Sequence, residues 1–527
     1  MARRLALAAA VAALALALPA FAHAATYCVN APSCSGTNEP DLQTALDAAA
    51  ATTTVSDTVD VGNPGPPISG GYHYTDLGNA ANEVAIVGAG PANTVLTATS
   101  STGLYLNGAG SSASHLTVQA PPGGSYGIQT SGSLTDVDVT SADSGTTTQT
   151  GVYLYGPNSS WVGGHVTLAS GSGNQVGFSA STPGVSSTLA DVTINAEDSG
   201  VLAAFGNVTL RRVRIVSTLG INAIGANVVA DNVSFRQLPS SSGGFMFNSE
   251  GATLDGSASI NHVSALGNGS GGSTFGVLAA SSTSGRSVTA TIKNSIFRDF
   301  FYELYRNASS SGSANVAVSY SDVDLVHVGG TNTTGGTGSI TPGPGNINTD
   351  PLWVNAPGDD FSLKPGSPVI DAGDPAGLAA GDSTTDVLGQ PRIANGRQDM
   401  GAVEFQPPPP PPAPDTTPPT LKTSKLPKKL TLKKLLAGIT FTVVPSEPSS
   451  IDATLAGSAR SVKLAKTYNL TVAHRKLGLA AGRRRVTLKV RKKLLGNSRK
   501  FSLQLTIVAT DAVGNKSTLK RTIKVAK

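Results

Sequence analysis

Apolar and polar residues alternate with a period of two in short blocks over most of the first 330 positions, and the blocks recur in a fixed order. One block opens with glycine followed by an apolar residue: Gly103-Leu104, Gly127-Ile128, Gly151-Val152, Gly177-Phe178, Gly200-Val201, Gly220-Ile221, Gly244-Phe245 and Gly276-Val277. A second block places two apolar residues around a polar one, as in Leu116/Val118, Val137/Val139, Val166/Leu168, Val192/Ile194, Val213/Ile215, Val233/Phe235, Val263/Ala265 and Val323/Leu325. Copies follow one another at about 20 to 33 residues, the spacing of solenoid repeats. Each copy is too short to bury its apolar row alone, so neighbours must stack. Period-two alternation makes the blocks strands, with one row inward and the other outward. Without helical stretches between them, such strands cannot build a βαβ sheet, and they coil instead.

This pattern resembles the pectin-lyase-like superfamily of right-handed parallel β-helices. The resemblance extends to Pro40–Asp47, a short amphipathic helix with Asp41 as its N-cap that would cover the open end of the core. The run Glu83–Pro91 is similar to a first coil of that superfamily. Further on, Asp350-Pro351-Leu352-Trp353, Gly366-Ser367-Pro368-Val369-Ile370-Asp371-Ala372-Gly373, Gly389-Gln390-Pro391-Arg392 and Asp399-Met400-Gly401-Ala402-Val403-Glu404 resemble the choice-of-anchor Q domain of bacterial surface proteins. That likeness implies export and surface display but no activity, and a closing cap over the last coil is the structural expectation for the segment.

The expected fold class is therefore all-β: a right-handed parallel β-helix plus a small antiparallel β-sandwich. The expected division is a signal peptide at 1–24, an N-terminal cap and β-helix at 25–345, a closing segment at 346–405, a Pro-rich linker at 406–419 and a basic β-sandwich at 420–527. Arg3 and Arg4, the apolar run Leu5–Leu18 and the small-x-small site Ala22-His23-Ala24 carry the export reading. No later apolar run reaches the length of a transmembrane helix. Cys28 and Cys34, the only cysteines, are expected to form a local disulfide in an oxidising compartment. In the tail, 439–443, 486–490, 501–505 and 522–525 alternate as half-buried strands. The stretch 509–515 resembles the late hairpin of bacterial immunoglobulin-like domains, a match of fold class only because the tail has no cysteine pair.

Charge divides the chain in the same way. From Leu421 onward there are 25 Lys and Arg against 3 acidic residues, leaving 13 basic and 30 acidic before it. Such a tail would neutralise phosphates, and export turns the expectation away from nucleic acid toward an anionic envelope polymer. A charged face kept for solubility is the plainer alternative.

Chemistry is scarce. Glycoside hydrolysis needs two carboxylates about 5 to 10 Å apart, and eliminative cleavage of uronates needs a base with Ca²⁺ or another neutralising charge. The outward columns of the Gly-apolar strand read Tyr105, Gln129, Tyr153, Ser179, Leu202, Asn222, Met246, Leu278 and then Asn107, Ser131, Tyr155, Ser181, without a carboxylate pair or a basic residue. A second column, His115, Asp136, His165, Asp191, Arg212, Asn232, His262, Ser295 and Asp322, suggests a metal or proton relay. Its position at a bend, where Asn, Asp and His tolerate left-handed backbone, favours a turn instead.

The functional expectation is a secreted, surface-associated, non-catalytic protein that contacts extracellular or wall polysaccharide and is held at the envelope by its tail. Tyr105, Tyr153, Tyr155, Arg212, Arg214, Tyr302 and Tyr305 are the candidate glycan contacts. No catalytic or metal-ligating residue is assigned, and no cofactor is expected. The rivals are a polysaccharide lyase or glycosidase, for which Ca²⁺ would become relevant, and a spacer or adhesin without a small ligand.

Overall fold

The computed structural model describes residues 24–526 apart from 53–54, 68, 77–81, 100, 122, 142–147, 172, 240–242, 250, 252–253, 270–273, 408–411, 462–465 and 496–499. The expected signal peptide therefore lies outside the described residues. The chain divides into two compact units, 1–407 and 408–527.

In the first unit the chain alternates between two sheets, one of 16 strands and one of 11. Every ladder within them is parallel, as in Leu104↔Ile128, Val152↔Phe178, Val201↔Ile221, Phe245↔Val277 and Leu304↔Val328. From Asp57–Val61 onward each circuit visits both sheets and returns one coil further on. This is a parallel β-helix. The two recurrent blocks are its two walls, and their inward rows fuse into one core running from Tyr27 to Val323.

The long strands of the larger sheet, such as Ser112–Ala120, Ser133–Ser141, Asn207–Ser217 and Gly256–Leu266, turn a corner in mid-strand. The corner is made by a single residue with positive φ: His115, Asp136, Asp191, Arg212, Asn232 and His262, at φ between 52° and 59°. Left-handed backbone there bends the strand, the corner residue drops out of the ladder and pairing resumes beyond it in the same register, which bears out the turn reading of that column. In the remaining coils the corner falls to Gly163 and Gly164, to Asn294 and to Tyr320 rather than to His165, Ser295 and Asp322.

The N-terminal end is covered as expected. Helix α1, Leu42–Ala51, is capped by Asp41, whose carboxylate accepts from the Thr44 N–H at 2.8 Å. It buries Leu42, Ala45, Leu46 and Ala49 against the first coils. Cys28 and Cys34 are joined beside it.

The segment after residue 346 behaves differently from the expected closing cap. It runs back along the flank of the larger sheet. Ser383 N–H donates to Asp231 at 2.7 Å, Ala402 N–H to Ser264 at 2.9 Å and Asp374 N–H to Asn294 at 2.7 Å, so one segment braces successive coils. Leu266 and Ile296, projecting from that flank, seed two small satellite cores with Phe361, Val387, Ala402 and with Leu363, Val369, Met400. Short strands and turns at 353–405 cannot bury these side chains against each other alone, and the flank supplies the missing surface.

The second unit is a two-sheet sandwich. Leu421–Ser424, Ile439–Pro445 and Arg484–Leu488 form one antiparallel sheet. The other holds Lys429–Thr431, Lys516–Ala526, Lys500–Thr510, Ser449–Ser461 and Lys466–Ala480, antiparallel except where Lys429–Thr431 joins its neighbour in parallel. Phe441, Val443, Val486 and Leu488 of the first sheet meet Ile451, Leu455, Leu505, Ile507 and Ile523 of the second in one core. Among the described residues, no helix of the chain is long and apolar enough to cross a membrane.

Candidate functional site

The outward face of the 11-stranded sheet carries one unbroken column of side chains. Register pairs lead from His73 through Tyr105, Gln129, Tyr153, Ser179, Leu202, Asn222, Met246 and Leu278 to Tyr305 and Gly329. No carboxylate, lysine or arginine stands in this column.

Aromatic rings gather at two places on this face. Tyr105 and Tyr155 stack with centroids 6.3 Å apart and planes 9° from parallel, Tyr126 and Tyr153 stack at 5.4 Å, and Tyr153 and Tyr155 lie 5.8 Å apart. Tyr155 donates its hydroxyl to Asn107 Oδ1 at 3.1 Å, and burial together with its hydrogen bond to Tyr105 holds its phenol well above the ordinary range. Tyr126 was not among the sequence candidates. Strict alternation from Gln129 turns it inward, but the intervening Gly127 kinks the strand and restores it to the outer face.

The second group lies at the other end of the sheet, in Tyr302–Ala308 and just before it. Phe301 packs edge-on against Tyr302 at 4.7 Å, and Tyr302 meets Tyr305 at 4.9 Å. Both tyrosines lean over Gly329 of the next strand, where an added Cβ would lie 2.5 Å from Tyr305 Cδ2 and 2.8 Å from Tyr302 Cε1. Glycine there leaves the space in which the rings lie.

Arg212 and Arg214 belong to the other sheet and to the braced flank. Arg212 makes a forked pair with Asp191, at 2.6 and 2.7 Å, and donates to Ser383 Oγ at 2.8 Å. Arg214 reaches the Val387 carbonyl at 3.4 Å. The structure thus brings Tyr105, Tyr153 and Tyr155 together, and separately Tyr302 and Tyr305, while the two arginines serve the contact with residues 383–387.

Titratable groups do converge, but inside. Register places Glu303 opposite Gly276, so a carboxylate takes the inward position that glycine holds in the preceding coils. It meets Arg298 at 3.0 Å, and the same guanidinium bonds Asp322. Burial pushes Glu303 up to about 7 and Asp322 up to about 6, against the opposing pull of Arg298. A groove of about 680 Å³ passes outside, lined by Arg298, Asp299, Thr349, Asp350 and Trp353 among others. Glu303 and Asp322 lie behind Arg298, 5% and 0% exposed, and do not line it.

No family model matches the chain, and no curated protein matches it. Among solved structures it is similar to tailspike protein gp49 of Acinetobacter baumannii bacteriophage Fri1, a capsular polysaccharide depolymerase. The identity is 9%, over 95% of this chain and 78% of that chain, with a TM-score of 0.30. At that score and identity the likeness carries no functional argument.

A second buried network lies under the brace. Arg392 is wholly buried and donates to the carbonyls of Asp399, at 2.9 Å, and Gly401, at 2.5 Å. Burial raises Asp399 to about 6 and Glu404 to about 7. His262, pinned between Asp231 at 3.2 Å and Gln398 at 3.0 Å, is pushed down to about 4, first by burial and then by Arg392. Arg392, Asp399 and Glu404 bond atoms of the brace itself, and His262 ties the brace to the coils through Gln398.

In the second unit, Asp415, Glu447 and Asp511 bring carboxylate oxygens within 4.8 Å of one another, close enough to share a cation. Asp511 Oδ1 also accepts the N–H groups of Val513, Gly514 and Asn515, between 2.7 and 3.0 Å. Residues 96 positions apart make this cluster, which is why spacing in the sequence did not reveal it.

Proposed function

We propose that this protein is an exported, surface-associated β-helix that binds extracellular polysaccharide without cleaving it, and that its basic second unit attaches it to an anionic envelope polymer. The observation carrying the reading is the outward column of the 11-stranded sheet, a neutral, half-exposed surface with aromatic platforms at Tyr105/Tyr126/Tyr153/Tyr155 and at Phe301/Tyr302/Tyr305. Aromatic rings with polar tips offer flat apolar area and a hydrogen-bonding hydroxyl at once, which suits the apolar faces and hydroxyl rims of sugar rings. The motifs at 350–404 and 509–515 support a surface-display segment and an immunoglobulin-like module in the same scheme.

The test is binding to a panel of soluble polysaccharides, with absorbance for unsaturated ends and new reducing sugar followed in parallel. Binding without product, weakened about tenfold or more by Tyr153→Ala or Tyr305→Ala, is the expected result. Steady product release would overturn it.

A hydrolase is the second reading, because Glu303 and Asp322 sit beside the 680 Å³ groove with raised pKa values. It requires the carboxylates to reach substrate past Arg298. Product release abolished by Glu303→Gln would establish it.

A further inference from the structure

The second unit separates its own charges. Asp415, Glu447 and Asp511 cluster at the turn joining Lys500–Thr510 to Lys516–Ala526. Asp452, the fourth acidic residue of the unit, pairs with Val508 near the same end and takes His474 at 2.8 Å. The far end of this hairpin, where Lys500 pairs with Ala526, lies about 34 Å away at the usual strand rise. That exceeds the Debye length of about 8 Å at physiological salt, so the acidic pole does not neutralise the other.

At the far pole lysines stand side by side. Lys429 and Lys524 are direct partners across the parallel pair, and like charges in that position oppose the ladder. With Lys500 they stand on the outward face of the sheet and line a groove of about 480 Å³, while Leu430, Phe501 and Val525 of the same strands turn toward the sandwich core. A second groove of about 380 Å³ shares Leu430 with the first and carries Lys425 and Lys434. Among the described residues, no salt bridge involves any of these five lysines. An anion bound between these lysines would relieve the repulsion.

We propose that these adjoining grooves bind an anionic polysaccharide chain, its phosphate or carboxylate groups against Lys425, Lys429, Lys434, Lys500 and Lys524. The proposal rests on the attachment reading and gives it a site and a ligand class. Two features argue for an extended polyanion. The lysines recur across two adjoining grooves; and among the described residues the unit's exposed large apolar side chains, Leu470, Leu479 and Val513, lie on the far edge strand or at the acidic pole, where they cannot help this end enter a bilayer.

The experiment uses the full chain and measures affinity for polygalacturonate, phosphorylated dextran, neutral dextran, a single-stranded oligonucleotide and phosphatidylglycerol vesicles at several salt concentrations. The groove variant is Lys429→Gln/Lys500→Gln/Lys524→Gln. The control, Arg475→Gln/Lys476→Gln/Lys516→Gln, removes equal charge elsewhere on the unit. The expected result is a loss of about tenfold or more, with a salt slope shallower by about two to three, for the groove variant alone and for an acidic polysaccharide. The carboxylate and phosphate arms identify the ligating anion. Replacement of the same three lysines by arginine should keep binding, and circular dichroism establishes that each variant is folded. Lys524→Thr should raise the melting temperature of the second unit, because it removes the like-charge pair. Equal losses in both triple variants would overturn the groove assignment and leave attachment by net charge. Tighter, groove-dependent binding to the oligonucleotide or vesicles would overturn the ligand class. No binding of the parent chain to either acidic polysaccharide would overturn the attachment reading itself.

Discussion

An ideal Cβ at Gly151 would lie 2.3 Å from Val166 Cγ2 in the core, and one at Gly177 the same distance from Ile194 Cγ2. Glycine recurs at the head of this strand because the wall bends there and the opposite wall fills the space. Gly151→Ala is therefore expected to destabilise the β-helix by about 1 to 3 kcal/mol through overpacking, read as a lower denaturant midpoint with an unchanged m-value. The repeat of Gly was legible in the sequence. Its reason was not, since the residue that forbids a side chain comes from the other wall. Glu303 shows the converse: the register to Gly276 turns this carboxylate inward onto Arg298, and no count along the sequence supplies that register.

At the scale of elements, α1 and the Cys28–Cys34 loop secure the N-terminal end by different means. Asp41→Ala removes the bond to the Thr44 N–H and should cost about 1 kcal/mol, measured as faster amide exchange in Leu42–Ala51 with the coils beyond unchanged. Reduction of the disulfide opens a loop of six residues in sequence separation and should cost at most about 3 kcal/mol. The β circular dichroism signal should persist after mild reduction. The brace of residues 353–405 is an element whose role changed between sequence and structure. Its Pro, Gly and Asp motifs describe turns, and turns alone do not say which surface they cover. The apolar projections Leu266 and Ile296, which lie on an otherwise polar outer flank, decided it.

At the scale of the whole molecule, buried ionisation links stability to pH. Glu303 and Glu404 stand near 7 and Asp322 and Asp399 near 6, all above their ordinary values because burial disfavours the charged form. Groups raised in the folded state contribute stability that is fully present below their unfolded pKa, about 4, and lost as pH rises through their folded values. His262, held down near 4, works in the other direction and costs stability as pH falls from about 6.5 to 4. Four carboxyl groups outweigh one imidazole between pH 5 and 8. The first unit should melt a few degrees higher at pH 5 than at pH 8, and Glu303→Gln with Glu404→Gln should flatten that difference. A melting temperature independent of pH across this window would show that these carboxyl groups are solvated.

The sequence by itself determined the coil. Period-two alternation at a spacing of about 20 to 33 residues admits only strands that stack, and the inward rows it names are the core of the β-helix. It likewise determined the capping helix, the corner column and the division of charge, because each follows from local backbone preference or from counting. Tertiary structure decided what depends on residues far apart in the chain. It grouped the tyrosines of three successive coils into a platform, gave Arg212 and Arg214 to the brace, buried Glu303 with Asp322, and gathered Asp415, Glu447 and Asp511 at one pole of the second unit. The physical reason is common to all of these. Alternation specifies which side of a strand a residue occupies, whereas register, kinks at glycine and the path of a turn-rich segment specify its neighbours.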